Sequence, residues 1–336
     1  ITCVFCFDCY TTLIWMRYWG FCKMDRFHFS TVVSKGHLYK FLAMYASLDN
    51  HCESYTLYVL CANDEVYHIL KQINFAHVEP VALGTIEDEN LLRAKADRIF
   101  HAYCWTLKPV FLDYVMTHYP DARYFAHLDA DLCFFNNPDY IFAENRDASL
   151  FLTHHRNSAM FYAYYDVTGI YNTGFVGCGN DETARKAVKR WREQCIQDCP
   201  IKADVEKKLF GDQRYVESWP FEYENVHVVH TPGANAALWN ITDYDVALKG
   251  GTVFVNDQPL LFYHFSGLTI ISGNEFNICW YYHIGDQNVI EYIYRPYLIL
   301  LSNAIAELGK FFPGFREGFV RREDSPDTHY FHLEVN

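Results

Sequence analysis

Apolar runs that alternate with helical patterns through the first 120 residues restrict this chain to a narrow set of folds. Phe27-His28-Phe29-Ser30-Thr31-Val32-Val33 is aromatic and β-branched, and Ser34-Lys35-Gly36 is a turn opening a helix through Leu38, Phe41, Leu42 and Tyr45. Tyr55–Cys61 reads as a second strand, with a helix around Glu65 to Gln72, and residues 78–83 read as a third. Residues 87–118 are helical in pattern, with a break allowed at Lys108-Pro109. Strands and helices alternating at this spacing predict an α/β fold with a mostly parallel central sheet flanked by helices. No Gly-x-Gly-x-x-Gly follows the first strand, so the usual dinucleotide-binding variant is not expected.

The next strand carries the chemistry. Tyr124-Phe125-Ala126-His127-Leu128 runs directly into Asp129-Ala130-Asp131, and Asn137-Pro138-Asp139 closes the segment. Side chains alternate along an extended backbone, so Asp129 and Asp131 point the same way. Two like charges at a buried strand end require a cation, and oxygen donors without nearby thiols suit Mg²⁺ or Mn²⁺. An Asp-x-Asp triplet alone is more often a solvated turn. Its place at the end of a buried strand favours a site, because ligands of open α/β sheets collect beyond the carboxyl ends of the strands.

The net charge of −13 argues against nucleic acid as a partner, since nothing supplies a basic face. Twelve cysteines, scattered singly apart from Cys3, Cys6, Cys9 and Cys22, suggest a reducing, cytoplasmic setting rather than a disulfide framework. Residues 1–23 read as a leader or a non-native segment upstream of Met24, with a metal cluster or a peripheral membrane anchor as alternatives. Residues 24–275 form one expected catalytic domain, and residues 276–336 a C-terminal helical extension.

Further along, 148–153 is strand-like and His154-His155-Arg156 reads as a polar surface loop. Tyr171-Asn172-Thr173-Gly174 presents small and amide residues suited to close approach of a polar ligand. Residues 181–198 form an amphipathic helix with Ala184, Ala187, Val188, Trp191 and Cys195 on its apolar side. Gly211-Asp212-Gln213 opens a turn or helix, and residues 260–265 form an apolar strand carrying His264 before Ser266-Gly267. On residue type alone His264 is a core histidine.

Taken in order, the first strand and its loop, Asp129-Ala130-Asp131, Gly211-Asp212-Gln213 and His264-Phe265-Ser266-Gly267 resemble the glycogenin and galactosyltransferase-type retaining glycosyltransferases. Tyr171-Asn172-Thr173-Gly174 is similar to that family's Phe-Asn-Ser-Gly, and the resemblance covers residues 27 to 270. It implies a GT-A fold and a Mn²⁺ or Mg²⁺ ion held by Asp129, Asp131 and His264 against a nucleotide diphosphate. It also implies that Thr31, Val33 and Ser34 hold base and ribose, and that Asp212 and Gln213 act at the sugar. Asn172 and Asn235 then contact sugar or acceptor. The activity implied is transfer from a nucleotide-sugar donor, UDP favoured, to a glycan or glycoconjugate acceptor with retention, as in polysaccharide biosynthesis. The family's Lys-Pro-Trp after His-Phe-x-Gly is absent, since Leu268-Thr269-Ile270-Ile271 follows Gly267; Lys108 or one of the cations of the helical stretch 87–101 (Arg93, Lys95, Arg98, His101) is the candidate substitute. Two rivals stand beside this reading: a catalytically weak nucleotide-sugar-binding scaffold, and an Asp-x-Asp phosphatase.

Overall fold

The computed structural model describes residues 27–334, so the expectations for residues 1–23 lie outside the described part of the chain. Its centre is a seven-stranded sheet. The strands are β1 (Phe27–Val33), β2 (Tyr55–Cys61), β3 (Val78–Ala82), β4 (Tyr124–Leu128), β6 (Leu150–His154), β7 (Tyr171–Gly179) and β8 (Val226–Val228), while β5 (Leu132–Phe134) belongs to a separate small sheet. The order is β3-β2-β1-β4-β7-β6-β8. The first four are mutually parallel, and β7 runs antiparallel between β4 and β6. The predicted α/β class with a mostly parallel sheet is what the chain adopts.

Period-two burial explains why these runs are strands with two covered faces. Phe29, Leu57, Val59, Ala126, Phe151 and Phe175 enter one core cluster. Their neighbours Tyr58, Leu60, Phe125, Leu152 and Val176 enter the cluster on the opposite face. Each such fully buried side chain stabilises the fold by about 1.5–3 kcal/mol before entropy is counted. The first cluster lies under α1 (Leu38–His51) and the C-terminal helix Arg295–Phe311. The second is roofed by α4 (Phe100–His118) and the helix Glu182–Gln197, whose buried residues are the five expected from its pattern.

The 87–118 region breaks at Arg98 and not at Lys108-Pro109, where the sequence allows a break. The helix α3 (Glu89–Asp97), which follows α2 (Asp64–Ile73) and β3, ends at Arg98, and α4 then runs unbroken through Pro109. Burial of Leu107, Val110, Phe111 and Leu112 holds the helix together around the proline. Arg98 leaves helical geometry because its guanidinium donates to the carbonyls of Cys195 (2.7 Å) and Ile196 (2.6 Å), capping the end of the Glu182–Gln197 helix.

Beyond residue 275 the chain is helical only in part, with Arg295–Phe311 as its long helix and Tyr330–His332 as a strand paired with Glu275–Asn277. Tyr294 and Tyr297 of this region pack against Tyr263 and Phe265; the Phe265 and Tyr297 rings stack at 3.7 Å. Among the described residues no helix is long and apolar enough to cross a membrane.

Candidate functional site

The carboxyl ends of β1 and β4 open into a cleft of about 500 Å³. Asp129 and Asp131 follow β4 directly, and two neighbours complete the group. β7 lies antiparallel beside β4 with Leu128 opposite Phe175, which carries Asn172, Thr173 and Gly174 up to the two carboxylates. β5 pairs antiparallel with the strand Phe262–His264, placing His264 opposite Leu132, the residue after Asp131. Backbone bonds lock both junctions: Asp129 N–H donates to Gly174 C=O (2.8 Å), and Phe265 N–H donates to Asp131 C=O (2.9 Å). Tyr263 and Phe265 turn into the aromatic layer of the C-terminal helix, and by the two-residue period His264 turns the other way, into the cleft.

The ligand atoms of Asp129, Asp131 and His264 lie within 4.8 Å of one another. His264 Nε2 is 3.1 Å from Asp131 Oδ1 and 3.9 Å from Asp129 Oδ2. The rest of the imidazole's surroundings assign its tautomer. Asn172 Oδ1 accepts from the Gly174 N–H (3.0 Å), which pins the amide oxygen toward His264, so His264 Nδ1–H donates to it at 3.2 Å. Nε2 then faces the carboxylates, where a cation between them would take its lone pair. Two carboxylate oxygens and one imidazole nitrogen fit a six-coordinate divalent ion that keeps positions open for substrate oxygens.

Charge counting agrees. Lys108 Nζ reaches Asp129 at 2.8–2.9 Å and Asp212 at 3.8 Å. Three carboxylates thus gather around Lys108, the one ammonium in direct contact with them among the described residues, and a dication would offset the negative charge that remains. Burial alone would raise Asp129, but Lys108, His127 and His264 together hold it well below the ordinary carboxylate range. Asp131 is held down against its burial chiefly by His264. Asp212 moves the other way: burial raises it, and Lys108 and the Thr173 hydroxyl, which donates to it at 2.6 Å, offset only part of that. Burial would lower Lys108, yet Asp129 and Asp212 outweigh it and keep the ammonium charged.

The remaining expected residues divide. Ser34, Asn172, Asp212 and Gln213 line the cleft, the last with its amide donating to the Thr168 carbonyl at 2.7 Å. Thr31 and Val33 do not. They share the face of β1 that buries Phe27 and Phe29, and Val32 lines the cleft instead, followed by Lys35, Gly36 and His37. Asn235 is also no part of the lining: it is fully buried, with its amide donating to the His154 carbonyl at 3.3 Å. His155, expected on a surface loop, is buried; its Nε2 accepts from Asn172 Nδ2 (3.4 Å), and burial lowers its pKa to about 3. It steadies the amide that orients His264.

His101, one of the 87–101 cations considered for the diphosphate, and Trp105, given no role from sequence, form one wall of the cleft with Phe210. The signal was present, since His101, Trp105 and Lys108 follow i, i+4, i+7 spacing and so share a helix face. Thr173 and His127 sat inside recognised stretches, but only the fold shows what they bond.

Gly174 is small because of His264. A Cβ at residue 174 would lie 2.6 Å from the imidazole and 2.8 Å from Asn172 Oδ1, so the space is closed by the protein itself. Gly174→Ala is expected to displace the His264 ring and weaken Mn²⁺ binding by about 10–100-fold, with the protein still folded. Titration calorimetry with Mn²⁺ checks this, and unchanged affinity would remove His264 from the ligand set.

An α/β sheet of this order with an Asp-x-Asp-His group at its carboxyl edge defines a protein of GT-A glycosyltransferase fold. The galactosyltransferase LgtC, solved with donor and acceptor sugar analogues, superposes with a TM-score of 0.51 over 86% of this chain and 100% of its own, at 10% identity. No family model matches the chain. It belongs to the family of the uncharacterized proteins YfnD and YfnF of Bacillus subtilis (strain 168). YfnD is 51% identical over 311 residues, 93% of this chain and 100% of YfnD. YfnF is 30% identical over 306 residues, 88% of this chain and 98% of YfnF.

Proposed function

We propose that the protein is a divalent-metal-dependent glycosyltransferase that moves a sugar from a nucleotide diphosphate donor, UDP favoured, to a glycan or glycoconjugate acceptor. The observation that carries this reading is the convergence of Asp129, Asp131, His264, Lys108 and Asp212 in one cleft of nucleotide size. Asp129, Asp131 and His264 hold the ion, which when bound neutralises charge on the departing diphosphate. Lys108 fixes Asp129 and keeps Asp212 ionised, so that a carboxylate faces developing positive charge at the sugar. Gln213 lies beside it, on the back face in a transfer with retention. Asn172 acts through His264, and the Ser34 to His37 loop receives the nucleoside. Lys35 stands at the mouth of that loop in a 2.8 Å ion pair with Glu317. Mn²⁺ or Mg²⁺ suits the donor set, and the eight free thiols among the described residues fit a cytoplasmic setting.

Thermal shift with UDP, GDP, CDP and dTDP, each with and without Mn²⁺, tests the reading. One nucleotide is expected to raise the melting temperature only when Mn²⁺ is present, by the mass action of binding to the native state. If no nucleotide shifts it under either condition, the donor assignment and the nucleotide-sugar-binding scaffold both fail and the phosphatase reading gains ground.

A further inference from the structure

A second group of side chains has metal-site geometry, at the β8 edge of the sheet. Glu144 follows the short helix Asp139–Ala143, His227 lies in β8, and His230 lies two residues beyond β8; their ligand atoms fall within 4.8 Å of one another. We propose that Glu144, His227 and His230 bind a borderline d-block dication, best fitted by Zn²⁺, at a site separate from the cleft.

The distances bracket what that ion needs. His227 Nε2 is 2.8 Å and His230 Nδ1 is 3.9 Å from Glu144 Oε2. Tetrahedral zinc with bonds of about 2.0–2.1 Å sets its ligands about 3.3 Å apart, so each contact changes by only about half an ångström. The carboxylate is already aimed: the Thr231 N–H donates to Oε1 (3.0 Å) and the His230 N–H to Oε2 (2.7 Å). Such outer bonds orient a ligand before the ion arrives. The His230 side chain is 83% exposed, which gives the ion an entry path and leaves a fourth position to water. In the metal-free protein His227 Nε2–H donates to Glu144; on binding, that proton leaves and both atoms turn lone pairs to the ion. Two imidazoles with one carboxylate favour Zn²⁺ over the harder Mg²⁺ or Mn²⁺.

The site has a mechanical purpose. The Thr231 to Gly233 turn it anchors holds the Gly233 carbonyl, which accepts from the Leu261 N–H (2.8 Å) and Phe262 N–H (3.2 Å) at the start of the strand carrying His264. Zinc there ties that turn to the segment following β5, so its effect is read in stability.

The test uses the full chain, stripped with EDTA and carrying Asp131→Asn to disable the cleft's own ligand group. Calorimetry with Zn²⁺ should show one equivalent bound, and Co²⁺ should give the intense visible bands of a four- or five-coordinate site. Both signals should vanish when His230→Ala is added, while the metal-free melting temperature is unchanged because His230 is exposed. His230→Gln serves as the second variant if the alanine form melts lower. Absence of zinc binding in Asp131→Asn, binding that survives loss of His230, or the weak bands of octahedral cobalt would each overturn the proposal and leave Glu144 as a hydrogen-bonded anchor for its turn.

Discussion

Asp131→Asn is expected to lower turnover by about a thousandfold and to abolish the Mn²⁺-dependent nucleotide shift, with the metal-free protein still folded. Electrostatic groups that act where transition-state charge develops contribute effects of this order. Of the proposed ligands, Asp131 is the one most committed to that role. Asp129 shares its charge with Lys108 and His127, whereas Asp131 faces His264 Nε2 at 3.1 Å and has Lys40 and His37 as further electrostatic neighbours. An amide keeps the shape and one acceptor oxygen but removes the charge. Stability should therefore change by at most about 1–2 kcal/mol, the scale of one hydrogen bond. Steady-state rates with a nucleotide-sugar donor and melting curves with and without metal read both halves. Wild-type turnover in this variant would sink the metal assignment.

Lys108→Met acts on stability first. The Lys108, Asp129 and Asp212 side chains are 10%, 20% and 5% exposed, so removing the ammonium leaves two largely buried carboxylates uncompensated. Breaking a buried pair from one side costs about 3–5 kcal/mol. The loss should be smaller with Mn²⁺ present, because the ion neutralises the charge on Asp129 that Lys108 had balanced. Asp212, already raised by burial, should then take up a proton more readily, and activity should fall even where Mn²⁺ restores the fold. Denaturant midpoints in EDTA and in Mn²⁺ give the two stabilities. An equal loss under both conditions would show that Lys108 is uncoupled from the metal group, and no loss would show that the pair contributes nothing.

Several elements were legible because their information is local. Side-chain direction repeats every two residues in a strand and every 3.6 in a helix, so β1, β2, β4 and the Glu182–Gln197 helix could be read off their own residues. The same period put Asp129 and Asp131 on one side of the chain. Where a local rule met a tertiary one, the tertiary one won. Pro109 does not break α4, because the buried residues around it hold the helix, and the break moves to Arg98, whose guanidinium caps a neighbouring helix. Thr31 and Val33 were expected at the nucleoside, and one residue of parity turns Val32 into the cleft lining instead.

The sequence by itself determined that this chain builds a mostly parallel α/β sheet and ends one buried strand in a pair of carboxylates. Only the tertiary structure decided what surrounds them. The order β3-β2-β1-β4-β7-β6-β8 brings Asn172 and Thr173 beside β4, β5 pairs with the strand that delivers His264, and α4 crosses the sheet with Lys108 aimed at Asp129. These pairings join residues far apart in the chain, and no local period encodes which strand lies next to which. His155 shows the consequence: two adjacent histidines read as a solvated loop, yet the fold buries the second, neutral, against the amide that orients His264.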